Sequence, residues 1–107
     1  MASKKEKENQ LRSKIFKALS DPTRLKILDF LRNGEKCVCE IIPYVGLIQP
    51  VVSRHLKILK DTGLVIDKKD GNRRLYSITE PQVFEIIDGI TPELISKYAE
   101  RILERAA

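Results

Sequence analysis

The chain has 107 residues, of which 42% are hydrophobic and 33% are charged, and its formal net charge is +5. This length and mix predict one globular domain that buries about two-thirds of its unfolded surface and gains stability by dimerising. The basic balance points to nucleic acid. The longest uncharged run, residues 41–53, contains two prolines and a glycine, which excludes a membrane-spanning helix.

The N-terminus, MASKKEKENQ, has basic residues but lacks the apolar core of a signal peptide. We therefore expect a cytoplasmic protein in which residues 1–7 form a flexible basic lead-in and residues 8–107 form the folded domain. In the cytoplasm the two cysteines of the chain are expected to be reduced rather than bridged.

Two amphipathic helices are predicted first. Apolar residues at helical spacing place one helix over residues 8–19. The segment SDPTRLKILDFLRNG predicts the second, with Asp21 as its N-cap, Pro22 at the first helical position and Asn33-Gly34 as its stop. The buried face of this second helix is predicted to consist of Leu25, Leu28 and Leu31, broadened by Ile27 and Phe30.

A tight turn between two further helices follows. EIIPYVG predicts a short third helix that starts near Cys39 or Glu40, and a glycine-containing turn separates it from QPVVSRHLKILKDTG. The latter predicts a helix over about residues 49–62 with an apolar stripe of Val52, Leu56 and Leu59. Two short helices joined by such a turn indicate a helix-turn-helix, whose second helix recognises DNA.

The sequence then changes to the alternation of a β-hairpin over about residues 64–78, LVIDKKDGNRRLYSI. Leu64 and Ile66 alternate, Asp70-Gly71 is a strong turn signal, and Tyr76 and Ile78 alternate on the return strand. The tip carries four cations, opposed only by Asp67 and Asp70, and we expect these cations to contact phosphates: Lys68, Lys69, Arg73 and Arg74.

The C-terminal segments, TEPQVFEIIDG and TPELISKYAERILERAA, predict two helices or one interrupted helix. The last helix has an apolar seam, which so small a domain has no further core to bury: Ile95, Tyr98, Ala99 and Ile102. A second copy of the chain is the expected acceptor. The whole order predicts a winged helix-turn-helix, which is mostly α with a small β-hairpin wing (α+β).

Polar residues on the predicted recognition helix are the candidates for DNA contact. Gln49, Ser53, Arg54 and His55 have the side chains that bind base edges and phosphates, and Lys57 and Lys60 are expected to contact phosphates.

Both cysteines lie in NGEKCVCEII, with only Val38 between Cys37 and Cys39. The spacing alone leaves three possibilities: a metal or metalloid site, a redox pair, or two small buried residues. In a regular helix residues i and i+2 point about 200° apart, so their sulfurs chelate one ion only at a helix N-terminus.

These segments resemble the ArsR/SmtB-type metal-responsive repressors. ALSDPTRLKILDFLRNGEKCVCEI is similar to that family's second helix and cysteine motif, and QPVVSRHLKILKDTGLVIDKKDGNRRLYSI is similar to its recognition helix and wing. The resemblance covers about residues 8–80. It implies a homodimeric repressor that binds a palindromic, double-stranded operator and pairs through its first and last helices, at Leu11, Ile15, Ile95, Tyr98, Ala99 and Ile102.

The resemblance also implies an effector site at Cys37 and Cys39 for As(III), Sb(III) or another thiophilic ion, with no cofactor required. The family's arsenite sensors often have a third cysteine at the position occupied here by Ile42. Zinc is disfavoured, because His55 is the only histidine and the last helix lacks the histidine and aspartate ligands of the zinc sensors.

Three other functions remain as alternatives at this point. The first is a redox-responsive or effector-independent winged-helix regulator, and the second is a winged helix that binds protein instead of DNA. The third is a thiol oxidoreductase, which is disfavoured because the sequence shows no parallel sheet, phosphate loop or nucleophile–base pair. We therefore expect a protein that is not an enzyme.

Overall fold

The structure is a computed structural model that describes residues 1–106. In chain order its elements are α1 (Lys4–Leu19), α2 (Pro22–Leu31), β1 (Lys36–Cys37), α3 (Val38–Val45), α4 (Gln49–Asp61), β2 (Val65–Asp70), β3 (Arg73–Ile78), α5 (Val83–Gly89) and α6 (Pro92–Ala106). The pair α3–α4 is the helix-turn-helix and the β2–β3 hairpin is its wing. The predicted fold class, mostly α with a small β-hairpin, is confirmed.

The first helix begins at Lys4 rather than at residue 8. The backbone of Ser3 is extended, and its hydroxyl accepts a hydrogen bond from the N–H of Glu6 at 3.1 Å. This N-cap satisfies one of the free N–H groups of the first turn. Residues 4–7, which the sequence predicted to belong to a flexible lead-in, are therefore helical.

Asp21 caps α2 as the sequence predicted. Its carboxylate accepts hydrogen bonds from the N–H groups of Thr23 at 2.8 Å and Arg24 at 3.1 Å, and Pro22 occupies the first helical position. The side of α2 that faces the core buries Ile27, Leu28 and Leu31, with Leu25 and Phe30 partly buried beside them.

A two-residue strand, β1, precedes α3 and was not predicted. Cys37 in β1 pairs with Leu75 of β3. The backbone of Cys37 is extended, and the residue is also the N-cap of α3, so α3 begins at Val38, one residue before the predicted start near Cys39 or Glu40. The cysteine segment thus connects the wing to the helix-turn-helix.

The sheet is antiparallel and has the strand order β1-β3-β2. Its hairpin turns at Gly71, whose φ of +62° favours glycine. The alternation predicted for the first strand was wrong, because Val65 is buried and Ile66 is 56% exposed. Leu64 belongs to the preceding loop, where its N–H donates to the carbonyl of Leu59 at 3.0 Å, so the alternation of the strand starts at Val65.

The core lies between α2, α3, α4 and the base of the wing. The stripe predicted for α4 is confirmed, since Val52, Leu56 and Leu59 are at most 1% exposed. Tyr76 and Ile78 of β3 are partly buried against this core, but the buried residue of the strand is Leu75, which the predicted alternation did not single out. Burial of the stripe fixes which side of α4 faces solvent.

The C-terminal segment forms two helices. α5 buries Val83 and Phe84 against the core, whereas α6 has no buried residue. Arg32 at the end of α2 holds α5 through a bidentate ion pair with Asp88, at 2.8 and 3.1 Å. Within residues 1–106, none of the helices is both long enough and apolar enough to cross a membrane.

Candidate nucleic-acid interface

The α4 helix presents a polar side to solvent. Gln49, Ser53 and Arg54 are exposed; Arg54 lies opposite the buried stripe, and Gln49 and Ser53 lie on its flank. Ile48 at the N-cap makes no side-chain hydrogen bond to the helix, as expected for a side chain without an acceptor. The exposed amide, hydroxyl and guanidinium groups are of the kinds that bind base edges and phosphates.

A cleft of about 360 Å³ lies between the start of α3, the exposed side of α4 and the wing. Its lining combines polar residues of α4, cations of the wing and both cysteines: Cys37, Val38, Cys39, Gln49, Ser53, Asn72, Arg73, Arg74 and Tyr76. The structure therefore brings four of the residues predicted to contact DNA together with the pair predicted to bind an effector: Gln49, Ser53, Arg73 and Arg74.

More of the wing cations are paired with carboxylates than the sequence predicted. Nζ of Lys68 lies 3.4 Å from a carboxylate oxygen of Glu35, and Nη2 of Arg73 lies 3.3 Å from Oε1 of Glu40. Both glutamates flank the cysteine pair, far from the wing in sequence, so charge counting within the hairpin missed them. Each of these pairs is exposed and solvent-screened, so the cations remain available to phosphates.

Asp67 connects α4 to the wing. Its carboxylate, which is 8% exposed, accepts hydrogen bonds from Lys60 at 2.9 Å and Arg74 at 2.8 Å. The hydrogen bond from Lys60 and that from Arg74 lower the pKa of Asp67 below its usual value and outweigh burial, which acts in the opposite direction. Lys60 therefore has a structural partner, whereas Lys57 pairs along α4 with Asp61 at 2.9 Å and is 75% exposed.

His55 does not share the exposed side of α4. Its side chain is 15% exposed, and its Nδ1 lies 3.1 Å from Nη1 of Arg24 and 3.9 Å from Oδ1 of Asp21. The sequence predicted a DNA contact, but the structure places the ring against the start of α2. His55 is one turn from both Val52 and Leu59, so it borders the buried stripe.

The two cysteines converge at the N-terminus of α3. Cys37 is 3% exposed, Cys39 is exposed, and their Cα atoms are 5.0 Å apart. Because Cys37 is extended and precedes the first turn, the two side chains do not diverge as they would inside a helix. The sulfurs are joined as a disulfide, whereas the sequence predicted reduced thiols.

The cysteine segment supplies two soft ligands at most. Over residues 1–106 the structure contains no group of three or more histidine, cysteine, aspartate and glutamate side chains arranged to hold a metal ion. When reduced, Cys37 and Cys39 would supply two soft thiolate ligands. The position at which the family's arsenite sensors often have a third cysteine holds the apolar, half-buried Ile42.

Comparison with known proteins identifies the family. Residues 21–67 match the profile described as bacterial regulatory protein, arsR family. The arsenical resistance operon repressor of Staphylococcus xylosus is 42% identical over 82 residues, which cover 77% of this chain and 75% of that repressor. This chain belongs to the ArsR family.

Two further comparisons agree with this assignment. The probable mercury resistance operon repressor of Streptomyces lividans is 41% identical over 75 residues, which span 70% of this chain but only 60% of that protein. A homodimeric winged helix-turn-helix DNA-binding domain from Mycobacterium bovis has 30% identity and a TM-score of 0.73, covering 98% of this chain and 93% of that one. This ArsR-family chain is therefore a DNA-binding transcriptional regulator and not an enzyme, as the sequence predicted.

A second surface of this ArsR-family chain is apolar. A groove of about 710 Å³ between α1, α2, α5 and α6 is lined mainly by hydrophobic residues. Of the predicted interface, Leu11, Ile95, Tyr98, Ala99 and Ile102 are exposed, and Ile15 is half-buried against the protein's own core. The structure adds further exposed apolar residues beside them, which sequence periodicity had not singled out: Phe16, Ile86, Ile90 and Leu103.

Proposed function

We propose that this protein is a homodimeric repressor that binds a palindromic, double-stranded operator and is released when a thiophilic metalloid or metal binds Cys37 and Cys39. One observation carries the proposal: both cysteines line the same cleft as Gln49, Ser53 and the wing arginines. An effector bound there contacts the DNA-binding surface directly. The protein would act in the cytoplasm, with the DNA that it regulates.

In this proposal α4 enters the major groove. Gln49 and Arg54 are the candidates for adenine and guanine contacts, and Ser53 is a candidate for a phosphate contact. Lys57 of α4 and the cations of the neighbouring wing would contact phosphates: Lys68, Lys69, Arg73 and Arg74. Lys60 contributes through its ion pair with Asp67, which holds α4 against the wing.

Dimerisation through α1 and α6 would cover the apolar surface. Residues 95, 98, 99 and 102 follow helical spacing and share one side of α6, which packs no side chain into its own core. A large exposed apolar surface on a small domain indicates an interface. A two-fold dimer presents two copies of α4, and such symmetry requires an operator with two related half-sites.

Release would follow from the position of Cys37. This residue caps α3 and pairs with Leu75 of the wing, while α3 packs against α4. Binding of one ion by both sulfurs moves the start of α3 and thereby the relative placement of wing and recognition helix. A coupling of about 1–3 kcal/mol lowers DNA affinity about 5- to 150-fold, which is sufficient for a switch.

Arsenite or antimonite is the favoured effector class. Both are thiophilic and trigonal, and reduced Cys37 and Cys39 would provide two ligands. With Ile42 at the third position, the remaining ligand would come from solvent or from a small thiol. The names of the relatives from Staphylococcus xylosus and Streptomyces lividans, which refer to arsenical and mercury resistance, support soft ions as effectors.

A redox response is the second candidate, because the structure joins the two sulfurs as a disulfide. Cys39 is exposed and therefore open to oxidants, while Cys37 lies beneath it at the sheet. In this alternative, oxidation to the disulfide rather than an ion would change the start of α3.

The test is fluorescence anisotropy of the reduced protein on DNA from upstream of its own gene, at fixed salt. Wild type and a Cys37→Ser/Cys39→Ser variant are each titrated alone, with arsenite, and after mild oxidation. Loss of binding with arsenite in the wild type alone supports the metalloid switch. Loss of DNA binding only after oxidation would support redox sensing by the cysteines. DNA binding that changes neither with arsenite nor with oxidation would overturn both candidates.

A further inference from the structure

Arg24 bonds to two other helices at once. From α2, its Nε donates to the carbonyl of Ala18 at 2.6 Å and its Nη2 to the carbonyl of Lys17 at 3.3 Å. These carbonyls belong to the last turn of α1, and that of Lys17 also accepts the N–H and hydroxyl of Ser20, the C-cap, at 3.3 and 2.7 Å. The remaining guanidinium nitrogen, Nη1, lies 3.1 Å from Nδ1 of His55 in α4. One side chain therefore joins the end of the first helix to the recognition helix.

The contact with Arg24 defines the role of Nδ1 of His55. A guanidinium only donates hydrogen bonds and does not lose its proton in proteins. In this contact, at 3.1 Å, Nη1 of Arg24 is therefore the donor and Nδ1 of His55 is the acceptor.

The surroundings of His55 also contain a carboxylate. Asp21 lies 3.9 Å from Nδ1 of His55, and the same Asp21 accepts the N–H groups of Thr23 and Arg24 as the N-cap of α2. From α1, Lys14 and Lys17 line the groove around Arg24, and Asp61 lines it from α4.

We propose that His55 is a positioning residue for DNA binding, which acts by accepting a hydrogen bond from Arg24 and so sets the recognition helix relative to α1. The inference rests on the proposed function for one step, that α1 forms part of the dimer interface. Under that arrangement Arg24 and His55 connect the dimer interface to the DNA-reading helix. They fix how far apart the two copies of α4 lie, and half-site spacing is sensitive to that distance.

The test uses three substitutions of the full-length protein on the same operator DNA. Asn Oδ1 can occupy the position of Nδ1, whereas the amide of Gln reaches the position of Nε2, so His55→Asn conserves the acceptor and His55→Gln misplaces it. His55→Leu removes it. We expect His55→Asn to bind DNA within about twofold of wild type and the other two to bind roughly three- to tenfold more weakly, the effect of one hydrogen bond.

One further measurement separates positioning from direct contact. In an Arg24→Ala background, His55→Gln should cause no additional loss, because the partner is already absent. A histidine that contacts DNA itself would instead show the same loss in both backgrounds.

Equal losses for all three variants, or wild-type affinity for all three, would overturn the proposal. An additional loss for His55→Gln in the Arg24→Ala background would overturn it as well. Circular dichroism and sedimentation of each variant verify folding and dimerisation. Failure of the wild type to bind operator DNA would count against the proposed function, whereas the ranking of the variants decides the role of His55.

Discussion

Cys37 and Leu75 are direct partners in the antiparallel pairing of β1 with β3, so the residue that caps α3 also belongs to the sheet of the wing. The side chain of Cys37 accepts a hydrogen bond from the N–H of Cys39 at 3.0 Å. The carboxylate of Glu40 accepts one from the N–H of Cys37 at 3.1 Å and completes a capping box. Chemistry at these sulfurs therefore acts on a helix cap and a strand pair together.

Cys37→Ser should separate effector response from folding. Serine is a good N-cap, so its hydroxyl can accept the same N–H as the cysteine sulfur. We expect the free energy of unfolding to stay within about 1 kcal/mol of wild type, DNA affinity to stay within about twofold, and the response to arsenite to be lost. Urea unfolding and anisotropy measure these quantities.

Cys37→Val is the control for the cap. It keeps an apolar side chain in a site that is 3% exposed but has no acceptor, so it should lose about 1 kcal/mol of stability. A Cys37→Ser protein that still responds fully to arsenite would contradict the assigned site.

Glu40→Gln should strengthen DNA binding. Glutamine at this position can still accept the N–H of Cys37, but the negative charge 3.3 Å from Arg73 is removed. We expect the dissociation constant for DNA to be about twofold lower at low salt, because one negative charge beside the wing is removed. At high salt the effect should be smaller, because salt screens the interaction. Anisotropy at two salt concentrations measures it.

Glu35→Gln, which removes the partner of Lys68 at 3.4 Å, is a matched variant without a role in the α3 cap. A similar gain in both variants indicates an electrostatic effect. Weaker binding by Glu40→Gln alone would show instead that the pair with Arg73 positions the wing.

The sequence predicted the local structure best where capping and periodicity agree. Asp21 before Pro22 marked the start of α2, and the stripe of Val52, Leu56 and Leu59 marked the buried side of α4. Both signals lie within one element, so neither depends on how the elements pack. Together with the turn signal of the hairpin at Asp70-Gly71 and the order of the elements, they were sufficient for the fold class.

Contacts between segments that are distant in sequence could not be predicted from such local signals. The partners of Lys68 and Arg73 are Glu35 and Glu40, more than 30 residues earlier, and no pattern in the hairpin indicates them. Likewise, periodicity could place His55 at the border of the stripe, but only the packing of α2 against α4 shows that it faces Arg24.

Asp67→Asn should destabilise the protein in a pH-dependent manner. The pKa of Asp67 is lowered in the folded state, so its contribution is fully present above the unfolded value of about 3.9 and is lost as pH falls through the folded value. At neutral pH we expect the variant to lose about 1 kcal/mol of unfolding free energy, from its hydrogen bonds to Lys60 and Arg74. The difference should shrink towards zero well below pH ~4.

Urea unfolding across this pH range measures the difference. Asp70→Asn, the same change at an exposed wing position, is the control and should have little effect at any pH. A loss in Asp67→Asn that does not vary with pH would show that packing rather than the ionised carboxylate is responsible.

Ile102→Asp should convert the dimer to monomer. Ile102 is 67% exposed on the seam of α6, so a charge there costs little in an isolated chain, but burial without a partner in an interface costs several kcal/mol. We expect a monomer in sedimentation equilibrium with near-native circular dichroism, and a loss of operator affinity of at least about tenfold, because one half-site then binds alone. Lys97→Asp, on the opposite side of the same helix, should remain dimeric. A dimeric Ile102→Asp protein would place the interface elsewhere, and a monomeric one with full operator affinity would show that a single copy of α4 and the wing is sufficient for recognition.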